Sequence, residues 1–473
     1  MRKRRRLSLM LSLLASACAA GPAYVPPQPP APTGEAFVTR APAFDAAAPL
    51  PDDWWRLYRD PALDGLIAQA FAANTDLRVA AANLARAQAV LQESRAGRLP
   101  STDLGGGVSY GDAVQGGGPA GAAQWSANAG LSLAWEVDLF GRVGRAIAAA
   151  RADAEAVAAA RDGVRVTIAA EVTRAYLNAC AAAFALDVAR RSYETSSASQ
   201  RLVTAQAQAG SAATLDIERA SAAAATARAA IPALDGQRRV ALFELAALLG
   251  GTPADVPGAA RACTAPPEPA ATLPVGDGAA MLRRRPDLRQ AERELAADTA
   301  RIGVATADLY PRISLGGSGD FFRSDQVRGS DSFSFSLGPL IAWSFPNMAV
   351  ARARLREAEA QGAASLARFD GQVVTALKEV EQALTIVATE QARLDALREA
   401  QTRSETAYRL AELRYRAGSI GQLDLLVTQA DLLTARAAYA ASLQRLSSAR
   451  VDLFKALGGG WQVAAEGERQ AAG

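Results

Sequence analysis

Cys18 is the residue in this chain with the clearest covalent chemistry. It closes Leu14-Ala15-Ser16-Ala17-Cys18, behind a basic start, Met1 to Arg6, and an apolar run, Leu7 to Leu14, too short to be a permanent membrane span. The stretch reads as a lipobox, in which Cys18 would become the lipidated N-terminus after a signal peptide over residues 1–17. Ala15-Ser16-Ala17 also satisfies the ordinary A-x-A cleavage rule, so two readings stand, with lipidation of Cys18 the favoured one. Either way the mature chain leaves the cytoplasm, and Ala19 in place of Asp after a lipidated cysteine points to the outer membrane of a Gram-negative bacterium. Cys180 and Cys263 then share an oxidising compartment, where a disulfide between them is permitted. Cys180 lies in a helical run and would serve equally as a small buried apolar residue, so the bridge and two free thiols are both open.

Other chemistry has little to work with. The chain has no histidine, which removes the commonest general base and metal ligand. With no cysteine cluster and no nucleophile elbow, neither an enzyme nor a metal site is expected, and no cofactor beyond the lipid on Cys18. Gly116-Gly117-Gly118-Pro119-Ala120-Gly121 satisfies G-x-G-x-x-G but precedes a strand pattern instead of a helix, which makes it a surface loop. Arg283-Arg284-Arg285 stands before a proline at a helix start, a setting for solvated or ion-paired arginines. The net charge is +3, and the arginines alternate with acids and alanines, so there is no basic patch for nucleic acid.

The elements that carry the remaining candidates are written twice. Thr226-Ala227-Arg228-Ala229-Ala230 returns as Thr434-Ala435-Arg436-Ala437-Ala438, and Trp135 as Trp343, each at an offset of 208. Asp76-Leu77-Arg78 returns as Asp287-Leu288-Arg289, and Pro100 as Pro311, at an offset of 211. The three-residue slip between Pro100 and Trp135 marks a loop, where lengths vary most freely. The organisation follows: a leader over 18–52, rich in proline; one repeat over 53–262; a linker over 263–276; a second repeat over 277–460; and a tail over 461–473.

Within each repeat, Leu63, Leu66, Ile67, Ala70 and Phe71 set a helical spacing, and Asp76 and Asp287 are placed as helix N-caps. After Pro100 the pattern changes to period two. Trp125, Ala127, Ala129, Leu131, Leu133 and Trp135 alternate with small polar residues, as do Phe333, Phe335, Leu337, Ile341 and Trp343. These predict strands over about 101–113, 124–136, 312–324 and 332–344. Long alanine- and arginine-rich helices follow, Gly144 to Gln208 and Ala349 to Ala417, and each returns after a Gly-Ser break. A helix of this length reaches roughly 98 Å, which only a coiled hairpin accommodates.

The strands have one oily face, one small polar face, and the length of about 9 to 11 residues that crosses a bilayer when tilted. Four strands cannot close, and an open edge in lipid leaves backbone groups unpaired. Bacterial barrels begin at about eight strands, so two or three chains would have to combine. A small sheet packed on soluble helices is the alternative. No run of the mature sequence is long and apolar enough for a transmembrane helix.

Four segments, Cys18-Ala19-Ala20-Gly21-Pro22-Ala23-Tyr24-Val25-Pro26, Trp54-Trp55-Arg56-Leu57-Tyr58-Arg59-Asp60-Pro61-Ala62-Leu63, Trp135-Glu136-Val137-Asp138-Leu139-Phe140-Gly141-Arg142 and Arg284-Arg285-Pro286-Asp287-Leu288, resemble the outer-membrane efflux proteins of the TolC/OprM family, in its NodT-like lipoprotein branch. The resemblance spans essentially the whole mature chain. It implies an α+β membrane protein: a homotrimer with a twelve-stranded barrel in outer-membrane lipid, continued by a helical coiled-coil barrel. It also implies a passive exit duct for small toxic compounds or drugs, docked through a periplasmic adaptor to an inner-membrane transporter, of RND type as the expected class.

The same resemblance assigns roles at the helix tips. Arg414-Tyr415-Arg416-Ala417-Gly418-Ser419 is similar to the family's R-Y-x-x-G signature, so Arg416, Gly418 and Ser419, with Gly210 and Ser211 in the first repeat, are the expected adaptor-docking positions. Family members often place an acid just past the second tip. Here that stretch is Ile420-Gly421-Gln422, so the gate candidates are Ile420 as an apolar constriction and Asp424 with Asp216, which align at 208 and would serve equally as structural residues of the return helices. Rival functions are a protein-secretion duct of type I and a non-conducting periplasmic spacer, the latter having no use for aromatic-faced strands.

Overall fold

A computed structural model describes residues 20–27, 36–112, 123–269, 272–324 and 327–461. Cys18 and the glycine-rich loop at 116–121 lie outside these. The elements are β1 (Phe44–Asp45), α1 (Pro61–Ala73), α2 (Thr75–Ala96), β2 (Ser101–Asp112), β3 (Ala123–Glu136), α3 (Arg142–Gln208), α4 (Thr214–Leu248), α5 (Gly258–Ala262), β4 (Leu273–Pro274), α6 (Gly278–Arg284), α7 (Pro286–Ala307), β5 (Arg312–Ser324), β6 (Phe333–Ala342), α8 (Ala349–Arg416) and α9 (Gln422–Ala456). The chain divides into two units, one of Met1–Gln28, Ala82–Ala159 and Arg289–Gly371, the other of Pro29–Ala81, Ala160–Leu288 and Gln372–Gly473.

The first unit contains a four-stranded antiparallel sheet in the order β2-β3-β5-β6. The central pair, β3 with β5, joins the two repeats, and β2 and β6 are left as edges. Period two puts Leu104, Val108, Trp125, Leu131, Phe335 and Leu337 on one face, where Leu104 is 80% and Phe335 88% exposed in the single chain. On the other face hydroxyls meet across the ladder, Ser109 with Ser126 at 2.9 Å and Ser318 with Ser336 at 3.0 Å.

Each hairpin carries aromatic residues at both ends of its oily face. Near the loop, Tyr110 packs on Trp125 with centroids 5.2 Å apart, and their repeat counterparts Phe321 and Phe333 lie 5.1 Å apart. At the other end Trp135 Nε1 donates to the Arg98 carbonyl at 3.0 Å, and Trp343 Nε1 to the Leu309 carbonyl at 3.2 Å. Ten residues separate Trp125 from Trp135, about 33 Å along a strand, or about 23 Å across a bilayer at a tilt of about 45°. That matches the apolar band of about 25 Å between aromatic girdles. The three-residue slip therefore falls between Tyr110 and Trp125, in the hairpin loop.

Where strand gives way to helix in this unit, Asp138 accepts from the amides of Val143 at 2.9 Å and Gly144 at 2.7 Å, capping α3. Glu136 holds Arg142 beside it. The W-E-V-D-L-F-G-R run is thus a fastener from strand to helix. The leader is tied in here as well: Ala20 donates its amide to the Phe140 carbonyl at 3.0 Å, and Arg145 Nε donates to the Ala20 carbonyl at 3.2 Å.

The second unit has a core around Trp54, Tyr58 and Phe454, with the Trp54 and Phe454 rings 4.8 Å apart. Asp60 caps α1 by accepting from Ala62 at 2.9 Å, Pro61 fills the first helical position, and Tyr176 donates to the other Asp60 oxygen at 2.7 Å. Leu63, Leu66, Ile67 and Ala70 are buried, as their spacing predicts.

A duplicated joint ties helix starts to the ends of the return helices. In the first repeat Asn74 Nδ2 donates to the Leu248 carbonyl at 2.9 Å, and its Oδ1 accepts from Asp76 at 2.9 Å and Leu77 at 3.2 Å. In the second repeat the aligned residue is Arg285, which donates to the Ala456 carbonyl at 3.0 Å and pairs with Asp287 at 2.7 Å and Glu379 at 2.8 Å. The N-cap expectation for Asp76 and Asp287 is therefore corrected. Asn74 caps α2, its position before the helix letting one Oδ1 serve two amides at once, and Asp287 lies one residue inside α7, turned to the Arg285 guanidinium. The return helices end beside these residues at Gly250 (φ 77°) and Gly458 (φ 75°); a Cβ on Gly250 would stand 2.7 Å from the Ala73 carbonyl oxygen.

Burial opposes ionisation of Asp287, but the hydrogen bonds and charge of Arg285 outweigh it and hold the carboxyl below its usual range. Arg285→Met removes the guanidinium from two half-exposed carboxylates and the Ala456 carbonyl, so it should lower stability by about 1–3 kcal/mol. Stability from a depressed Asp287 is complete above its unfolded pKa of about 3.9 and is lost as pH falls through the lower folded value. Thermal scans across that acid range should show a steeper loss in the wild type than in Arg285→Met; parallel pH curves would contradict the pairing.

Candidate functional site: the hairpin tips

Both coiled hairpins of the second unit reverse through the same motif. Gly210 (φ 76°) and Gly418 (φ 68°) take the left-handed conformation after the long helices, and Ser211 and Ser419 donate their amides back to the carbonyls of Gln206 at 2.8 Å and Arg414 at 2.9 Å. Each serine hydroxyl donates to the same carbonyl at 2.9 Å. The Gly-Ser pairs thus close the helix ends with their own backbone and leave exposed tips.

Asp216 and Asp424 occupy the first turn of α4 and α9. Asp216 accepts from the Ala213 amide at 3.2 Å and Asp424 from the Gly421 amide at 3.3 Å. Both positions are thereby engaged in holding the return helices, the structural role that their 208 alignment allowed. Ile420 is half-buried just before α9, and Arg416 is turned along its own helix to Glu412 at 2.6 Å.

The two tips are bound to each other by residues that the repeat does not share. Tyr415 donates to Gln206 Oε1, where the first repeat has Ala207 in place of the tyrosine. Gln422, aligned with Thr214, donates to the Asp216 carbonyl at 3.1 Å. Farther along, the buried Gln429 donates to Ser196 Oγ at 2.8 Å. Burial, and then the nearby Asp216 carboxylate, push the Tyr415 hydroxyl above its usual range, so it remains a donor. Gln206 carries no signal of its own in the sequence, and Gln422 stands out there only as part of the stretch past the second tip. The signal that would have found them is the mismatch between repeats exactly where their ends must differ to meet.

Cys180 and Cys263 are joined, with Cα atoms 5.2 Å apart, fastening the inter-repeat linker to the buried face of α3. The bridge encloses a sequence separation of 83 residues. By chain entropy a loop of that length is worth roughly 4 to 5 kcal/mol against the reduced chain. Peptide mapping without reductant should yield one cross-linked Cys180–Cys263 peptide, and Cys263→Ser should lower the melting temperature; two alkylatable thiols in the native protein would contradict the bridge.

Comparison with known proteins agrees with this architecture. The family model described as outer membrane efflux protein matches residues 66–251 and 279–459, one stretch in each repeat. The toluene efflux pump outer membrane protein TtgC of Pseudomonas putida is 32% identical over 459 residues, covering 94% of this chain and 93% of that one. Nodulation protein T of Rhizobium leguminosarum bv. viciae is 29% identical, covering 97% of this chain and 94% of its own length. Among solved structures, the outer-membrane channel OprN superposes with a TM-score of 0.86 at 35% identity, covering 94% of this chain and all of that one. The chain belongs to the outer membrane efflux protein family and is an outer-membrane duct of an efflux pump, the component that works with an adaptor and an inner-membrane transporter.

Proposed function

We propose that three copies of this chain close a twelve-stranded barrel in the outer membrane and form a passive exit for small toxic compounds. The observation that carries the reading is the four-stranded sheet with two unpaired edges and an aromatic-bounded oily face. In lipid every exposed backbone group on β2 and β6 costs several kcal/mol, and the neighbour's complementary edge removes that cost. Eight is the smallest bacterial barrel, which two chains would satisfy; the resemblance to the TolC/OprM family, which implies a homotrimer, favours three. The serine-lined face suits a water-filled lumen.

In this reading the leader holds the lipid. The bonds from Phe140 and Arg145 to Ala20 fix the chain two residues after Cys18 beside the strand bases, which suits an acyl anchor in the inner leaflet of the outer membrane. The tips serve as the adaptor-docking and closing end, with Gly210, Ser211, Gly418 and Ser419 as exposed turns. The contacts of Tyr415 with Gln206 and of Gln422 with Asp216 keep the two hairpins together. Ile420 and the paired acids then shape the constriction. An RND-type transporter is the partner class we favour, and toxic organic compounds the cargo, in keeping with the kinship to a toluene efflux protein.

Purified protein in planar bilayers should give discrete conductance steps, and Tyr415→Phe should increase the open fraction. Absence of any conductance from a correctly assembled preparation would contradict a duct. In a strain lacking redundant ducts, deletion should raise susceptibility to organic solvents and drugs; unchanged susceptibility would remove that cargo class.

A further inference from the structure

The internal duplication lets each repeat serve as the reference for the other, and one position breaks the match in a telling way. Asp162-Gly163, Val166-Thr167 and Glu171-Val172 of α3 recur as Asp370-Gly371, Val374-Thr375 and Glu379-Val380 of α8, so the register is fixed at 208. In the second repeat the aligned residues Phe369 and Val373 are 6% and 1% exposed, an ordinary apolar interior. The first repeat has Arg161 and Arg165 there, both exposed. They border a pocket of about 260 Å³ in the second unit, together with Phe71, Leu77, Asp162 and Trp461.

We propose that this pocket binds a small organic carboxylate, the anionic group on Arg165 and the apolar body against Phe71 and Trp461. The Arg165 guanidinium stands 4.2 Å from the centre of the Phe71 ring, and among the described residues it takes part in no ion pair. The ring holds the cation by its face and leaves the edge of the guanidinium, with its parallel donors, free for an anion. Arg161 differs: Asp162 accepts from its Nε at 3.1 Å and its Nη2 at 2.6 Å, so it contributes less net charge. Trp461 is buried and anchored by its Nε1 to the Arg284 carbonyl at 2.8 Å, giving the pocket a rigid aromatic wall. The volume lies just below the range of about 300–1,000 Å³ usual for drug-sized ligands, so a single-ring acid is the fitting size. The neutral amide of the same shape lacks the charge that Arg165 rewards, and acetate lacks the ring.

Isothermal titration of the assembled protein in detergent with benzoate tests this, with benzamide and acetate as the uncharged and ringless controls. Benzoate should bind saturably and more tightly than either. Arg165→Gln, an exposed change that leaves elution as the wild-type assembly, should weaken benzoate by about tenfold or more, the usual worth of a charge-assisted hydrogen bond. Arg165→Val, which restores the second repeat's residue, should abolish it. No saturable benzoate binding, equal binding of benzamide, or benzoate binding unchanged in Arg165→Gln would each overturn the proposal.

Discussion

The open edges of the sheet are the constraint on which everything else turns. A sheet in the order β2-β3-β5-β6 satisfies the backbone of its inner strands and leaves one side of β2 and of β6 unpaired. In water such edges are managed by charges, bulges or cover. Here the face that accompanies them is oily and aromatic-bounded, which suits lipid, and in lipid the cover has to be another strand. The proposed oligomer would thus answer a need written into a single chain. The central β3–β5 pair solves the same problem once already, inside the chain, by joining the first repeat to the second.

Around that constraint the repeat supplies duplicated fasteners. Trp135 and Trp343 reach back to the carbonyls just before their hairpins, and Asn74 and Arg285 reach across to the ends of the return helices. The duplication keeps the geometry of each joint while changing its chemistry. An amide serves two backbone amides and one carbonyl in the first copy; an arginine with two carboxylates does the corresponding work in the second. A buried arginine is strongly destabilising when its partners are removed, yet it is weak evidence of net stabilisation by itself. Its value lies in fixing one arrangement of three helices.

Much of this was legible in the sequence, for identifiable reasons. Strict alternation over ten residues has no other reading than strand, and the boundaries at Pro100 and Pro311 follow from the missing amide of proline. The lengths of the helices and the glycine turns were equally open to inspection. The cap assignment was not, since Asn74-Thr75-Asp76 offers more than one residue able to accept from a helix start, and only coordinates select Asn74. The disulfide stayed undecided because a sequence separation of 83 carries no local signal of proximity. The tip contacts escaped because Gln206, Tyr415 and Gln422 act across the two repeats, and periodicity along one helix says nothing of a partner in another.

The central claim is that the unpaired edges of one chain are completed by its copies. Native mass spectrometry of the protein released from a lipid nanodisc measures this most directly. The account predicts one dominant species containing three chains. A stable single chain, with its four strands folded in lipid and no larger species, would contradict it.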